Sequence, residues 1–189
     1  MNIEIKKLTP ELMKEYLDFF EKEAFTDNKE WEGCYCVYYH WNESIDTECK
    51  KYEADGGTCY KRELAKRFIQ DGTIKGYLAL VDGLVAGWCN VNDKNKYHML
   101  SKENCPELWD DSVTNKKIKS IVCFTIAPKM RKKGIATELL KKICEDAKND
   151  GYDFVEAYPG TGETNERSYH GPYSLYKKNG FTVYKHIDN

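Results

Sequence analysis

The sequence predicts a mixed α/β fold, a sheet with helices packed on its faces. Three observations carry that prediction. Short apolar runs of strand character alternate with longer segments whose apolar residues recur every three to four positions. Turn residues punctuate the runs, most clearly Asp82-Gly83, Gly72 and Gly151. A hydrophobic fraction of 41% in 189 residues is enough for one domain with a substantial core.

Taken in order, Ile3 and Ile5 alternate with polar neighbours and read as a short first strand. Thr9-Pro10 supplies an N-cap and a proline at the first helical position. Leu12, Tyr16, Phe19 and Phe20 recur at helical spacing, so residues 10–25 read as an amphipathic helix. Residues 31–41, WEGCYCVYYHW, are dense in aromatics and fit neither period. Residues 43–57 are polar, end in Asp55-Gly56-Gly57 and read as a loop. Thr58 caps a helix to Gln70, with Leu64/Phe68 and Ala65/Ile69 as i,i+4 pairs and Gly72 as its stop. Residues 76–81 and 84–91 flank Asp82-Gly83 as the arms of a hairpin with a type I′ turn.

Residues 92–117 are polar, anchored by Met99-Leu100 and Leu108-Trp109, and read as a long loop with about one helical turn. Ile118–Ile126 reads as the central strand. Residues 134–149 form a helix on the stripe Ile135, Leu139, Ile143 and Ala147, stopped by Gly151. Residues 154–158 are the next strand, ended by Pro159, Gly160, Thr161 and Gly162. Pro172 opens a short helix that Gly180 closes, and residues 181–187 read as a final strand.

Composition narrows the function. The net charge of −2 supplies no global positive field for nucleic acid, and the basic residues around Arg131 make a local cluster rather than a stripe. No stretch approaches the ~20 apolar residues of a membrane span, and MNIEIKKLTPELMKEYL has no apolar signal-peptide core. A cytoplasmic protein without nucleic-acid or membrane partners is expected. Eight cysteines in such a chain read as reduced thiols. Cys89 and Cys123, in strand-like runs, behave as small hydrophobes. Cys34-x-Cys36-x-x-x-His40 lacks the second tight pair that zinc wants, even with Cys49 and Cys59 available, so no metal site is expected.

The most informative segment is residues 118–136, IKSIVCFTIAPKMRKKGIA: a buried strand, a proline stop, a basic loop and a helix start. Unpaired N–H groups and the positive dipole end make a helix N-terminus attractive to anions. Gly134 permits close backbone approach, Ala136 lets the helix pack near the strand, and Lys129, Arg131, Lys132 and Lys133 add charge. The place suits a phosphate-bearing ligand. The competing reading is an ordinary basic helix start on a solvated surface.

Arg131-x-x-Gly134-x-Ala136, following a strand that ends at Pro128, resembles the acetyl-CoA signature Gln/Arg-x-x-Gly-x-Gly/Ala of the GCN5-related N-acetyltransferases, the GNAT superfamily. A second family-like segment, Leu175-Tyr176-Lys177-Lys178-Asn179-Gly180-Phe181, follows in the expected order. The resemblance runs from about residue 75 to the C-terminal end and is densest over residues 118–181. It implies an α/β (α+β) GNAT-like twisted mixed sheet of about six to seven strands with helices on both faces. In that fold two central parallel strands, here Ile118–Ile126 and residues 154–158, splay apart to admit acetyl-CoA.

The resemblance also implies the chemistry: acetyl transfer from acetyl-CoA to a primary amine of a small molecule or peptide, by direct attack. Arg131, Lys132, Lys133, Gly134, Ile135 and Ala136 would bind the pyrophosphate through main-chain N–H groups, with basic side chains reaching the 3′-phosphate. The backbone of Phe124, Thr125 and Ile126 would pair with the pantetheine arm and the acetyl carbonyl, which requires a free strand edge. Tyr176 stands where the superfamily places the tyrosine that protonates the departing thiolate, and a phenol of pKa ~10 holds its proton at neutral pH. Tyr169 and Pro172 replace the asparagine and alanine usual ahead of it, and Tyr173 is also near. Glu156, on the strand beside the cofactor, is the candidate general base, against the alternative of a glutamate facing solvent or a lysine. His170 is a further candidate.

Cys123 as an acyl-accepting nucleophile lacks an evident activating base. Trp31, Tyr35, Tyr38, Tyr39 and Trp41 either line the acceptor pocket or pack the first helix onto the sheet. Two rival functions stand beside this one. The first is a sugar- or antibiotic-directed acetyltransferase. The second is a CoA-binding or interaction module that transfers nothing. An edge strand at residues 181–187 is the element able to pair across a homodimer.

Overall fold

The computed structural model of the protein describes residues 1–160 and 169–187. Five strands form one sheet in chain order: β1 (Ile3–Lys7), β2 (Gly76–Val81), β3 (Leu84–Asp93), β4 (Ile118–Ile126) and β5 (Phe154–Ala157). The first four are antiparallel, and β5 joins β4 in parallel. The helices are α1 (Met13–Lys22), α2 (Glu43–Ala54), α3 (Tyr60–Gln70), α4 (Ile135–Asn149) and α5 (Tyr173–Lys178).

Every residue of β2 is buried, because both faces of the sheet are covered. On one face α1 and α3 close an aromatic core that includes Tyr16, Phe20, Leu64, Phe68 and Trp88. On the other, α4 and α5 cover Ile121, Phe124, Leu139, Leu140 and Ile143. The α4 stripe follows the 3.6-residue period, and Leu139, Leu140 and Ile143 are fully buried. Each such side chain stabilises the fold by about 1.5–3 kcal/mol. The β2–β3 hairpin turns through Asp82 and Gly83, both with positive φ (49° and 88°), as a type I′ turn requires.

The structure corrects the sequence reading at several places. Residues 43–57 are not a loop, since Glu43–Ala54 is the helix α2. Its start is marked by Asn42, whose side chain accepts the Ile45 N–H at 3.0 Å. Periodicity misses it because Ile45 is the only residue α2 buries. The connection from β3 to β4 holds four short 3-10 turns rather than one. It is anchored as expected, with Leu100 buried and the Trp109 indole donating to the Leu100 carbonyl at 2.7 Å.

The sheet has five strands among the described residues rather than six to seven, with β1 and β5 at its edges. Residues 181–187 form no strand. Instead Tyr184 donates to the Asp110 carboxylate and Lys185 to the Glu107 carbonyl, so this segment runs against the long loop. Val183 and Tyr184 stay exposed, so pairing would have gained little burial. Thr161 and Gly162, read as part of the stop after β5, lie outside the described residues.

Candidate active site

The site begins with an irregularity in β4. Asn90 stands opposite Cys123 but Val91 stands opposite Ile121, so Val122 is the extra residue of a β-bulge. Val122 and Cys123 therefore both join the α1-side core, while Ile121 and Phe124 face α4. Parallel pairing with β5 stops at the same place, at Ile121 and Ala157. Beyond the bulge, β4 has no further partner in β5. Phe124 donates its N–H not to β5 but to the Tyr169 carbonyl, at 2.6 Å. The β4 edge that the resemblance requires to be free is thus held at Phe124 by the chain itself. Thr125 pairs with Trp88 on β3, and the Ile126 carbonyl accepts from the Arg131 side chain at 3.2 Å.

After β4 the chain turns through Pro128–Met130 into the basic loop. Lys132 and Gly134 both have positive φ (60° and 85°), and Gly134 leads directly into α4. A Cβ at Gly134 would meet nothing within 4 Å, so glycine serves the left-handed backbone there rather than clearance. No side chain caps α4, so its first-turn N–H groups remain available to a ligand. Arg131, Lys132 and Lys133 are exposed, Ile135 is buried in the α4-side core, and Ala136 is packed partly against it. Arg131 is also turned back onto the fold, its guanidinium forking onto the Asp27 carboxylate at 2.5 and 3.2 Å. Lys129, Lys132 and Lys133 provide the outward charge.

Tyr176 is buried on α5, its ring edge-on to Phe124 (6.2 Å) and Phe181 (5.3 Å). Its hydroxyl donates to the His170 carbonyl, and burial pushes its pKa upward. Tyr169 and Tyr173 are both 38% exposed, so of the three neighbouring tyrosines only Tyr176 turns into the core. His170 is held between rings, tilted on Tyr169 and edge-on to Tyr39 and Tyr158. Its Nε2 lies 3.3 Å from the Tyr39 hydroxyl, and Nδ1 has no partner among the described residues. Burial draws its pKa down to about 4, which keeps it neutral near pH 7.

Glu156 lies on β5 just before the divergence and is fully engaged. Its carboxylate meets the buried Lys94 ammonium at 3.1 Å and accepts from Ser120 and Tyr158 at 2.5 Å each. Lys94 also donates to the Leu108 carbonyl at 2.6 Å, tying the long loop to β5. Sequence reasoning missed Lys94, Ser120, Tyr158 and Asp27. Asp27, Lys94 and Ser120 have partners far away in the chain, and Tyr158, two positions from Glu156, stands in no pattern that marks it. The aromatic cluster divides: Tyr35 and Tyr39 are buried, Trp31 and Trp41 are half-buried, and Tyr38 is exposed. The thiol of Cys36 meets Cys123, whereas the His40 ring packs on Phe68 and Tyr97, so the Cys34–His40 segment sends its side chains apart.

The sequence model of the acetyltransferase (GNAT) family matches residues 5–181. No curated protein matches the sequence significantly. Among solved structures, similar folds include a ribosomal-protein-alanine N-acetyltransferase from Brucella melitensis biovar Abortus 2308. It has 14% identity and a TM-score of 0.56, with 100% of this chain and 98% of that one covered. An aminoglycoside acetyltransferase from an uncultured soil metagenomic sample has 18% identity and a TM-score of 0.57, with coverage of 100% and 98%. The aminoglycoside N-acetyltransferase AAC(6')-Iy, solved in complex with CoA, has 11% identity and a TM-score of 0.57, with coverage of 100% and 93%. No helix among the described residues is long and apolar enough to cross a membrane.

Proposed function

Because the chain belongs to the acetyltransferase (GNAT) family and is an acetyl-CoA-dependent N-acetyltransferase, we propose that it transfers acetyl directly to a primary amine of a small molecule or peptide where β4 and β5 part. One observation carries this reading. The Phe124 N–H and the Tyr176 hydroxyl, from separate elements, converge on the consecutive carbonyls of Tyr169 and His170. A pair of donors aimed at neighbouring carbonyl oxygens beside a parted strand edge is suited to a thioester and its pantetheine amides.

The residues fit acetyl-CoA. The uncapped start of α4, from Arg131 to Ala136, would hold the pyrophosphate through main-chain N–H groups. Lys132 and Lys133 would meet the 3′-phosphate. Phe124, Thr125 and Ile126 would offer backbone partners to the pantetheine arm, once the Phe124 N–H is released from Tyr169. Bound acetyl-CoA supplies an activated acetyl group as a thioester. The Phe124 N–H then opposes negative charge growing on the acetyl oxygen. Tyr176 holds a proton at its hydroxyl for the departing sulfur. Glu156 receives the amine's proton by way of Tyr158, whose hydroxyl already donates to it. Trp31, Tyr39 and Tyr169, grouped around His170, face the acceptor amine with aromatic surface. Holding amine and thioester in line supplies much of the acceleration.

The structural neighbours, which act on aminoglycosides or on a ribosomal protein's alanine by their names, support an amine acceptor of either kind. Calorimetric titration of acetyl-CoA, with desulfo-CoA and ATP as comparisons, tests the cofactor site. Turnover of acetyl-CoA with a panel of small amines and peptides tests the transfer. Micromolar binding of acetyl-CoA without ATP binding is expected. Failure of every CoA species to bind would overturn the assignment of the Arg131–Ala136 loop.

A further inference from the structure

Two buried cysteines outside the transfer chemistry meet beside the β4 bulge, and a third, Cys34, lies two positions from one of them in the chain. The Cys36 and Cys123 sulfurs are 3.2 Å apart and both are buried, although 87 positions separate them in the chain. Cys36 sits at φ 52°, a left-handed conformation that a side chain other than glycine seldom adopts. Two buried hydrogen bonds hold that segment in place. Asn90 donates to the Cys36 carbonyl at 3.2 Å, and Tyr16 donates to the Tyr35 carbonyl at 2.7 Å. The fold thus invests in pointing Cys36 at Cys123. Cys34 is the accessible member. It lines a cavity of about 310 Å³ with Tyr38, Trp41 and Lys61.

We propose that Cys34, Cys36 and Cys123 form a thiol relay that takes up a hydroperoxide at Cys34 and stores the oxidation as a Cys36–Cys123 disulfide. The cavity admits a small oxidant to Cys34. The neighbouring Cys36 lowers the pKa of Cys34, with Lys61 adding to the effect, which favours Cys34 as the nucleophilic thiolate. In the first step the Cys34 sulfur attacks the peroxide, an S–O bond forms and the O–O bond breaks. Cys34 becomes a sulfenic acid, and water, or an alcohol from an organic peroxide, departs. In the second step the Cys36 sulfur displaces that oxygen, which leaves as water with the Cys36 proton, and a Cys34–Cys36 disulfide forms. In the third step the Cys123 sulfur attacks Cys36, a Cys36–Cys123 bond replaces the first disulfide, and Cys34 is released as a thiolate while the Cys123 proton is lost. The low pKa of Cys34 makes it the better leaving group, which drives the exchange inward. Overall, two thiols and one hydroperoxide give one disulfide and either two waters or a water and an alcohol.

The product ties the aromatic segment after α1 to the strand that carries Phe124. It closes a loop of 87 residues, so the oxidised protein gains thermal stability. The relay does not depend on acetyl transfer, and its test reads sulfur rather than turnover. The full chain is reduced, freed of reductant and titrated with hydrogen peroxide. Free thiols are then counted, and peptides are mapped by mass spectrometry without reduction. The expected result is loss of two of the eight thiols, a Cys36–Cys123 cross-linked peptide, a rise in Tm of roughly 5–15 °C, and reversal by dithiothreitol. Cys34→Ser should slow formation of the cross-link at least tenfold, and Cys36→Ser should leave a sulfenic acid on Cys34 that dimedone traps. Absence of the Cys36–Cys123 peptide in the folded wild-type protein while other cysteines oxidise would overturn the proposal. An unchanged rate in Cys34→Ser would overturn the entry point.

Discussion

Tyr176→Phe removes one oxygen and separates two roles of that side chain. Structurally the hydroxyl gives one buried hydrogen bond to the His170 carbonyl. Losing it leaves that carbonyl short of a donor, at a cost of about 1–3 kcal/mol. At about 2–4 °C per kcal/mol for a domain of this size, Tm should fall by roughly 2–12 °C. The ring contacts with Phe124 and Phe181 are unaffected, so the variant should fold. Catalytically the loss should be larger, because a positioned general acid contributes ~10²–10⁴-fold. Assayed well below Tm by loss of thioester absorbance with an accepting amine, kcat and kcat/KM should fall together by at least ~100-fold, with KM for acetyl-CoA nearly unchanged. Tyr173→Phe, altering an exposed hydroxyl, is the control and should retain activity. The pH behaviour follows with its sign. Burial raises the folded pKa of Tyr176, so the acid stays protonated through the alkaline range and its contribution to stability is lost only as pH rises above ~10. A folded Tyr176→Phe enzyme with kcat within twofold of wild type would show that Tyr176 only packs α5 onto the sheet.

Three further outcomes are expected. Gly134→Asn and Gly134→Asp share the left-handed backbone at φ 85° but differ in charge, so calorimetry should find acetyl-CoA affinity roughly ten- to hundredfold weaker in the aspartate variant than in the asparagine one; equal affinities would remove the pyrophosphate from this loop. Glu156→Gln keeps the shape of the Lys94, Ser120 and Tyr158 contacts but removes the proton acceptor, so kcat at neutral pH should drop ~100-fold, and a full rate would return the base to water. His40 is buried against Phe68 and Tyr97, and burial draws its pKa down to about 4. The folded state therefore binds fewer protons than the unfolded one between that value and ~6.5, so stability is complete above ~6.5 and falls as pH drops, by about 2 kcal/mol near pH 5. Denaturant titrations at pH ~5 and above ~6.5 should show this decline, and His40→Gln should lessen it, with the remainder carried by His170, which burial draws down to about 4 as well.

What was legible in the sequence depended on range. The α4 start could be read because glycine, basic residues and an apolar stripe lie within a few turns of one another, and the hairpin because Asp82-Gly83 is a local signal. α2 could not, since its stripe shrinks to Ile45 and only the Asn42 cap marked it. The pairings that complete the site span 104 positions for Asp27–Arg131 and 62 for Lys94–Glu156, the thiol contact of Cys36 with Cys123 spans 87, and no spacing rule reaches so far.

The least legible feature is also the one on which the site turns. A one-residue slip reverses which face each strand residue meets, and it shows in a sequence only when one face is polar. Lys119 to Thr125 are all buried, with core on both faces of the sheet, so Val122 can be the extra residue without placing a polar group in the wrong layer. Covered faces thus let β4 carry a bulge at little energetic cost and at the same time erase the alternation that would reveal it. That bulge coincides with the end of β4–β5 pairing and leaves Phe124 to find another acceptor, so the proposed opening for a thioester arises within Ile121–Phe124, a run that looks like uninterrupted core.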